Sequence, residues 1–411
     1  MTGTTARRIL LADADAFFVA VARMVDPEGA GKAPLLIVGG TAASRGVVCS
    51  ASYETRKYGV RSAMPISRAL RLCPNAMCVP VPGKACGVKS GEIRRVLERF
   101  APMVEGASID EWYLDMGGTE GVYHYEPLDV TAQAMRDAVH RETGLTVSIG
   151  GGVNKLVAKL AVERAKPKFG ANGVHIVEPG GESDFLRTFT LAELPMVGPK
   201  FQERLATLGM VTVPDVLAHD LPTLIRWLGE READWLWDRV RGISESVVDS
   251  GGESRSISRD ETFAEDLSND RDLERELLAL VTRAAFDLRG DGLAARTITV
   301  RIRDMDFRNR SAQRTLVEPV VADRVIMGVA KQLFAKLRAS RRVPARLLGV
   351  ALSSFAQDPK ADQLTLFAAN AAPDPLAETA RDRLVAHTVD RVRERFGEKG
   401  IMPASLARPS R

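Results

Sequence analysis

Asp13 and Asp15 in RILLADADAFF, and the adjacent pair Asp110 and Glu111 in EGASIDEWYLD, place carboxylates inside apolar, strand-like surroundings. An ionised carboxylate flanked by Ile9, Leu10, Leu11, Ile109, Trp112 and Leu114 is costly to bury unless something positive neutralises it. Mg²⁺ suits that role, because it takes hard oxygen ligands and is typically held by a few carboxylates together with the phosphates of a substrate. The two clusters read as a divided carboxylate cage for two divalent cations, and that chemistry is phosphoryl or nucleotidyl transfer.

Strands and helices in an α+β order carry these groups. Residues 7–12 predict a strand with Asp13 at its end, and 35–38 and 46–51 predict short strands separated by the turn-rich GGTAASRG. YETRKYGV opens a helix-like patch, and SAMPISRALRLCP fits a short helix ended by Pro74. An amphipathic helix is expected over 88–101, with Val88, Ile93, Val96, Leu97 and Phe100 on its buried side. Segments 107–115 and 145–150 read as strands, with a helix over 128–143 between them, so both acidic clusters lie on strands.

A new unit is expected near residue 173. There LAELPMVGPKFQERLATLGMVTVPDVL holds two short helical patterns joined by Pro195, Met196, Val197, Gly198 and Pro199. Such a helix-hairpin-helix turn can offer backbone N–H groups to a phosphate without reading sequence. A second helical pair runs to about residue 242, and its Trp227, Trp235 and Trp237 are expected in the core. After the Gly/Ser-rich DSGGESRS, Ile298, Val300 and Ile302 alternate with Thr297, Thr299, Arg301 and Arg303, so that one face packs and the other is cationic. With helices over 271–288 and 322–339 and a last strand over 346–353, this is a small α+β domain with an exposed sheet face. From residue 356 the Ala/Pro/Asp-rich chain reads as a mobile tail, and a helical pattern resumes over 376–396.

A chain of 411 residues exceeds one ordinary core and predicts several domains. No apolar run approaches the roughly 20 residues needed to span a bilayer. Asp13 and Asp15 interrupt the N-terminal apolar stretch, which argues against a signal peptide and for a cytoplasmic protein. Cys49, Cys73, Cys78 and Cys86 are too few and too irregular for a disulfide framework or a zinc site. The net charge is only +4, yet residues 296–346 hold 13 Lys/Arg against 4 Asp/Glu. A localised basic surface of this kind is the electrostatic footprint of a phosphate-backbone binder.

The segments DADAFF, SYETRKYGVRSAMP, SIDEWYLD, NKLVAKLA, AKPK and PMVGPK occur in the order and at about the spacing of the Y-family translesion DNA polymerases. Over residues 7–355 the chain most resembles the bacterial DinB, or DNA polymerase IV, branch of that family. The resemblance implies an α+β multidomain, right-hand polymerase. It has a ferredoxin-like palm (1–22 and 78–172), small fingers (23–77), a helix-hairpin-helix thumb (173–245), an α+β little finger that binds DNA (253–355) and a flexible tail (356–411).

Carried over residue by residue, the resemblance implies that Asp13, Asp110 and Glu111 are catalytic metal-binding carboxylates, with the main-chain carbonyl of Ala14 completing one coordination sphere. Two Mg²⁺ are implied, with Mn²⁺ as a substitute. Phe18 matches the steric gate against a ribose 2′-OH, while Ser50, Tyr53, Arg56 and Lys166 match nucleotide contacts. Gly198, Lys200, Arg301 and Arg303 are the implied DNA contacts. QLTLF at 363–367, anchored by Gln363, Leu364, Leu366 and Phe367, has the shape of a sliding-clamp-binding peptide.

The implied activity is template-directed addition of dNTPs to a primer 3′-OH, with low fidelity and no proofreading. Its partners would be primed DNA, dNTP and the clamp, with no membrane, and the protein would be a monomer. Asp15 and Asp115 are expected to support the site without holding metal. Two features depart from the family pattern. Trp112 stands where a small residue is common, so its ring must find room or shift the strand, and AKPKFGANG replaces a shorter KPNG-like turn. A catalytically silent, clamp-docked adaptor is the alternative that Trp112 favours. A cyclase joining a nucleotide to itself would leave the hairpin and the cationic sheet without a purpose.

Overall fold

Burial of every residue of the first strand, Ile9–Ala14, places it at the centre of a sheet, and the fold of the first unit is organised around it. The structure is a computed structural model that describes residues 7–41, 43–167, 172–252, 254–357, 376–397 and 400–406. It divides into two units, one of 1–42 with 46–252 and the other of 43–45 with 253–411.

The strands of the first unit are β1 (Ile9–Ala14), β2 (Leu36–Gly39), β3 (Val48–Ala51), β4 (Met77–Val79), β5 (Met103–Gly106), β6 (Glu111–Asp115), β7 (Val147–Gly152) and β8 (Val174–Ile176). One sheet runs β5-β6-β1-β7-β8 and a smaller one runs β3-β2-β4. The helices between them are α1 (Phe17–Val25), α2 (Tyr53–Arg56), α3 (Ile66–Leu72), α4 (Gly83–Leu97), α5 (Leu128–Thr143) and α6 (Lys155–Ala165). Close packing of α6 on β7 requires glycine at 150, because a Cβ there would stand 2.0 Å from Val162 N and 2.5 Å from Ala158 O. Pro167 disfavours helical backbone at the residue before it, and Lys166 accordingly leaves α6 in an extended conformation.

Three local expectations change. The helix expected over 88–101 begins at Gly83, and its buried stripe is Cys86, Ile93, Val96 and Leu97. Val88 faces solvent on that phase, and Phe100 packs from beyond the helix end. Segment 107–115 is a strand only from Glu111: β5 and β6 form a hairpin whose turn spans 107–110, so Asp110 sits in that turn just before β6 and not on a strand. Residues 174–176, not read as a strand from the sequence, pair in parallel with β7 and complete the first sheet.

Short helices follow: α7 (Glu182–Leu186), α8 (Pro199–Thr207), α9 (Val213–Leu217), α10 (Leu221–Leu228) and α11 (Glu230–Arg239). They pack around Leu186, Leu205, Val216, Leu224 and Leu236, with Trp235 and Trp237 against that core. Trp227 differs from expectation: it is 38% exposed and meets His219 edge-on at 4.9 Å.

In the second unit β9 (Ser256–Leu267), α12 (Asp270–Gly290), β10 (Leu293–Asp304), β11 (Asn309–Val320), α13 (Asp323–Ser340) and β12 (Ala345–Gln357) form an antiparallel sheet in the order β11-β10-β12-β9. Ile298, Val300 and Ile302 pack with Leu348, Val350 and Leu352 beneath α12 and α13. Strand β11 escapes the sequence pattern because it is an edge strand exposed at most positions, so no apolar alternation marks it.

The described part of the tail is not loose. Helix α14 (Ala380–Phe396) is pinned by Arg289, whose Nε and Nη2 donate to Asp390 at 2.5 and 2.9 Å. Glu378 accepts from the N–H groups of Val321 and Ala322, just before α13, a helix whose N-cap Ala322 offers no side-chain cap. Residues 363–367 lie outside the described residues. All four cysteines are free thiols. No described helix is long and apolar enough to cross a membrane.

Candidate active site

Strand pairing brings the two acidic clusters together. Asp13 on β1 lies opposite Glu111 on β6 and opposite Ser148 on β7. Directly opposed residues share a face of an antiparallel pair, so Asp13 and Glu111 project on the same side. Asp110 joins them through its backbone, because Ala14 N donates to Asp110 O at 2.9 Å. Trp112, one residue along, goes to the other face, where it is 1% exposed in a core that includes Ala12 and Ala14. Its register partner is Ala12, whose small side chain leaves room for the ring, and the β1–β6 pairing runs without a bulge. The strand carrying Glu111 is therefore not displaced.

Each carboxylate has a local partner. Lys166 Nζ stands 2.9 Å from Asp13 Oδ2 and 2.6 Å from Glu163 Oε1. Lys159 pairs with Glu111, and Ser108 Oγ donates to Asp110 Oδ1 at 2.5 Å. Among the described residues, no three His, Cys, Asp or Glu side chains converge as a metal cluster. Lysine ammonium groups meet two of the carboxylates instead.

The donor chemistry nevertheless fits a hard divalent cation. Asp13 is only 6% exposed; burial, with Glu111 adding to it, pushes its carboxyl up to about 7, and Lys166 offsets this only in part. Asp15 accepts from Ser148 Oγ at 2.7 Å, while its buried Oδ2 has no hydrogen-bond partner among the described residues. Burial alone would lower the Lys166 ammonium, but Asp13 and Glu163 hold it above its ordinary value. Lys159 and Ser148 were not singled out as site residues from the sequence. The first lay in the quoted NKLVAKLA segment, and no local signal marks the second.

A pH prediction follows for metal-free protein. The Asp13 carboxyl goes from 3.8 in the unfolded chain to about 7 in the folded one, so the folded state binds the proton more tightly. The stabilisation from that proton is complete below 3.8 and is lost as pH rises to 7. In EDTA, the melting temperature of the wild type should fall between about pH 4 and 7 relative to that of Asp13→Asn. Parallel melting curves for the two proteins would refute the assignment.

The nucleotide-contact candidates are built from neighbouring turns. Ala16 has a left-handed backbone, φ 46°, between β1 and α1. Phe17 enters the core at 1% exposed, and Phe18 stays partly exposed with its ring 5.5 Å from that of Phe17. Ser52 caps α2 by accepting from Thr55 N, which sets Tyr53 and Arg56 on one short turn. Arg56 Nε donates to Ala51 O at 2.9 Å and its guanidinium lies 5.0 Å from the Tyr53 ring centre. Burial raises the Tyr53 hydroxyl above its ordinary value, and the Asp15 charge adds to this, which ties Tyr53 to the carboxylate cluster. Ser50 is buried on β3 opposite Val38.

The DNA-contact candidates stand apart from this cluster in sequence and element. Gly198 is the exposed N-cap of α8, and Lys200 is exposed in its first turn. On the second unit, Arg301 and Arg303 do face outward from β10, but the face is less cationic than expected. Arg301 makes a two-point ion pair with Asp260, its Nε at 2.6 Å from Oδ1, and Arg303 Nε donates to Asn309 at 2.7 Å. The Arg301 bridge crosses Gly349, where a Cβ would stand 1.7 Å from Asp260 Oδ1. The sequence could not show that an acidic partner would come from β9.

Residues 12–163 match the impB/mucB/samB family, and residues 254–366 match the C-terminal domain of that family. The DNA polymerase IV of Gluconobacter oxydans (strain 621H) is 34% identical over 363 residues, covering 88% of this chain and 99% of that protein. The DNA polymerase IV of Dehalococcoides mccartyi (strain CBDB1) is 34% identical over 395 residues, 96% of each chain. Among solved structures, a Y-family DNA polymerase chimera, Dbh-Dpo4(243-245)-Dbh, matches with a TM-score of 0.73 at 25% identity, over 84% of this chain and 98% of that one. An insertion ternary complex of Dbh DNA polymerase matches with a TM-score of 0.59 at 26% identity, with the same coverage of the two chains.

Proposed function

This chain belongs to the impB/mucB/samB family, the Y-family translesion DNA polymerases of the DNA polymerase IV type, and on that premise we propose how its residues divide the work. It is a template-directed DNA polymerase, and the family uses divalent metal ions. Its relatives are polymerases, and none supports the silent adaptor.

Asp13, Asp110 and Glu111, with the Ala14 carbonyl, are the groups that would hold Mg²⁺, and Mn²⁺ would suit the same oxygens. The observation that carries this reading is the register pairing of a buried Asp13 with Glu111 beside the Ala14–Asp110 backbone bond. Bound there, divalent cations lower the pKa of a primer 3′-OH and screen the charge of the triphosphate. Lys166, paired with Asp13 in this structure, would exchange that carboxylate for a phosphate oxygen when nucleotide arrives. Arg56 offers a planar fork to the same triphosphate, and the Tyr53 hydroxyl offers a hydrogen bond. Ser50 supports that wall from β3. Primed template and dNTP are the substrates, and Gly198 and Lys200 of the first unit and Arg301 and Arg303 of the second are the proposed contacts to the DNA backbone. The peptide Gln363, Leu364, Leu366 and Phe367 is proposed to dock a sliding clamp.

Primer extension in Mg²⁺ and in EDTA, with dNTPs and rNTPs offered separately, tests the reading. Extension by the wild type only with metal and only with dNTPs is expected. Phe18→Ala should raise ribonucleotide incorporation by on the order of 100-fold, about 3 kcal/mol of lost discrimination, while leaving dNTP use within severalfold. Unchanged sugar discrimination would place the gate elsewhere.

A further inference from the structure

On the second unit a cleft of about 570 Å³ opens between α12 and the C-terminal segment 400–406. The polymerase reading gives it no role. Arg275, Arg283 and Arg393 line it together with Thr282, Phe286 and Met402. Arg259 also reaches the cleft and is paired there with Asp287, and Glu276 is the other acidic group in the wall. In the lining itself four arginines stand against two acids; Arg283 Nη2 also lies 3.5 Å from Glu261 Oε2 and Arg393 Nη1 3.9 Å from Asp390 Oδ1, so those two guanidinium groups are shared with acidic neighbours behind the wall. Arg393 is 8% exposed, with its Nε donating to Ile401 O at 3.2 Å, so one guanidinium is built into the wall rather than lying on the surface.

Thr282 supplies a second, independent sign. It is 8% exposed, it faces the cleft, and its Oγ1 has no hydrogen-bond partner among the described residues. A threonine inside a helix ordinarily returns its hydroxyl to the carbonyl four residues back or turns it to water. A buried hydroxyl left without a partner is destabilising, so this one is suited to a group that is not protein.

We propose that this cleft binds a mononucleotide. Its volume lies in the range of small-molecule sites, roughly 300–1,000 Å³. Guanidinium forks match phosphate oxygens in pairs. Phe286 and Met402 give a planar ring an apolar wall, and the Thr282 hydroxyl is left for a sugar or phosphate oxygen.

The test is equilibrium binding of a fluorescent ATP analogue, followed by anisotropy, to the full chain in EDTA without DNA. Unlabelled ATP, GTP and inorganic pyrophosphate serve as competitors. Saturable binding is expected, and it should survive the double variant Arg56→Ala/Lys166→Ala. Arg275→Gln/Arg283→Gln should weaken it by about tenfold or more, as loss of charge-assisted hydrogen bonds implies. Thr282→Val should weaken it severalfold without lowering the melting temperature, a result that a purely structural hydroxyl would not give. The proposal is overturned by no saturable binding up to about 1 mM, the weak end of specific affinity. It is also overturned by binding that disappears in the Arg56→Ala/Lys166→Ala protein while ignoring the cleft variants, or by pyrophosphate competing as well as ATP.

Discussion

Asp110→Ala is expected to slow primer extension by on the order of 10³-fold, about 4 kcal/mol of transition-state stabilisation, while DNA affinity stays within about twofold. The position allows a clean test. The bond that ties this turn to the central strand uses the backbone oxygen of Asp110, accepting from Ala14 N, and alanine keeps it. The side chain is partly exposed, and among the described residues the one hydrogen bond it accepts from another side chain is that of Ser108. Removing it leaves no buried orphan and no cavity, so a lost rate cannot be charged to a lost fold. Single-turnover extension in Mg²⁺ beside a DNA-binding titration is the measurement. Near-normal extension would remove Asp110 from the cation-holding set.

Arg289→Met should destabilise the second unit by about 3–5 kcal/mol, the range for breaking a buried ion pair by removing one partner. The Arg289 side chain is 2% exposed, and it serves Asp390, Asp323 and the carbonyl of Val321 together. Its loss leaves Asp390, whose side chain is 11% exposed, with the longer 3.9 Å contact to Arg393, and frees α14 from α12. Urea denaturation should show the loss, and limited proteolysis should show new cleavage within 376–397. Arg289→Lys should recover only part of it, because one ammonium cannot replace a planar fork shared between two carboxylates. By contrast Arg301→Gln, at an ion pair 46% and 32% exposed, should cost no more than about 1 kcal/mol. A loss below about 1 kcal/mol for Arg289→Met would mean that α14 is held by other contacts.

Much of the site was legible without coordinates. Carboxylates inside apolar strand patterns stood out because burying them is costly, and the alternation over 296–303 assigned the two faces of β10 correctly. The order of short motifs pointed to the family. Less legible were features whose cause lies far along the chain. The hidden strand β11 carries no apolar period because its partner β10 supplies the burial. The Asp260 partner of Arg301 comes from another strand, across a glycine. The room for Trp112 comes from Ala12 on β1, which no reading of β6 alone could supply.

The sequence by itself determined which residues could do chemistry and which faces were apolar, because side-chain type and local period are written in consecutive positions. Only the tertiary structure decided that Asp13 would oppose Glu111, that Lys159 and Lys166 would meet those two carboxylates, and that the terminal helix would be locked by Arg289. Those outcomes depend on strand register and helix docking, which are selected by contacts between residues far apart in the chain and leave no periodic trace in either partner.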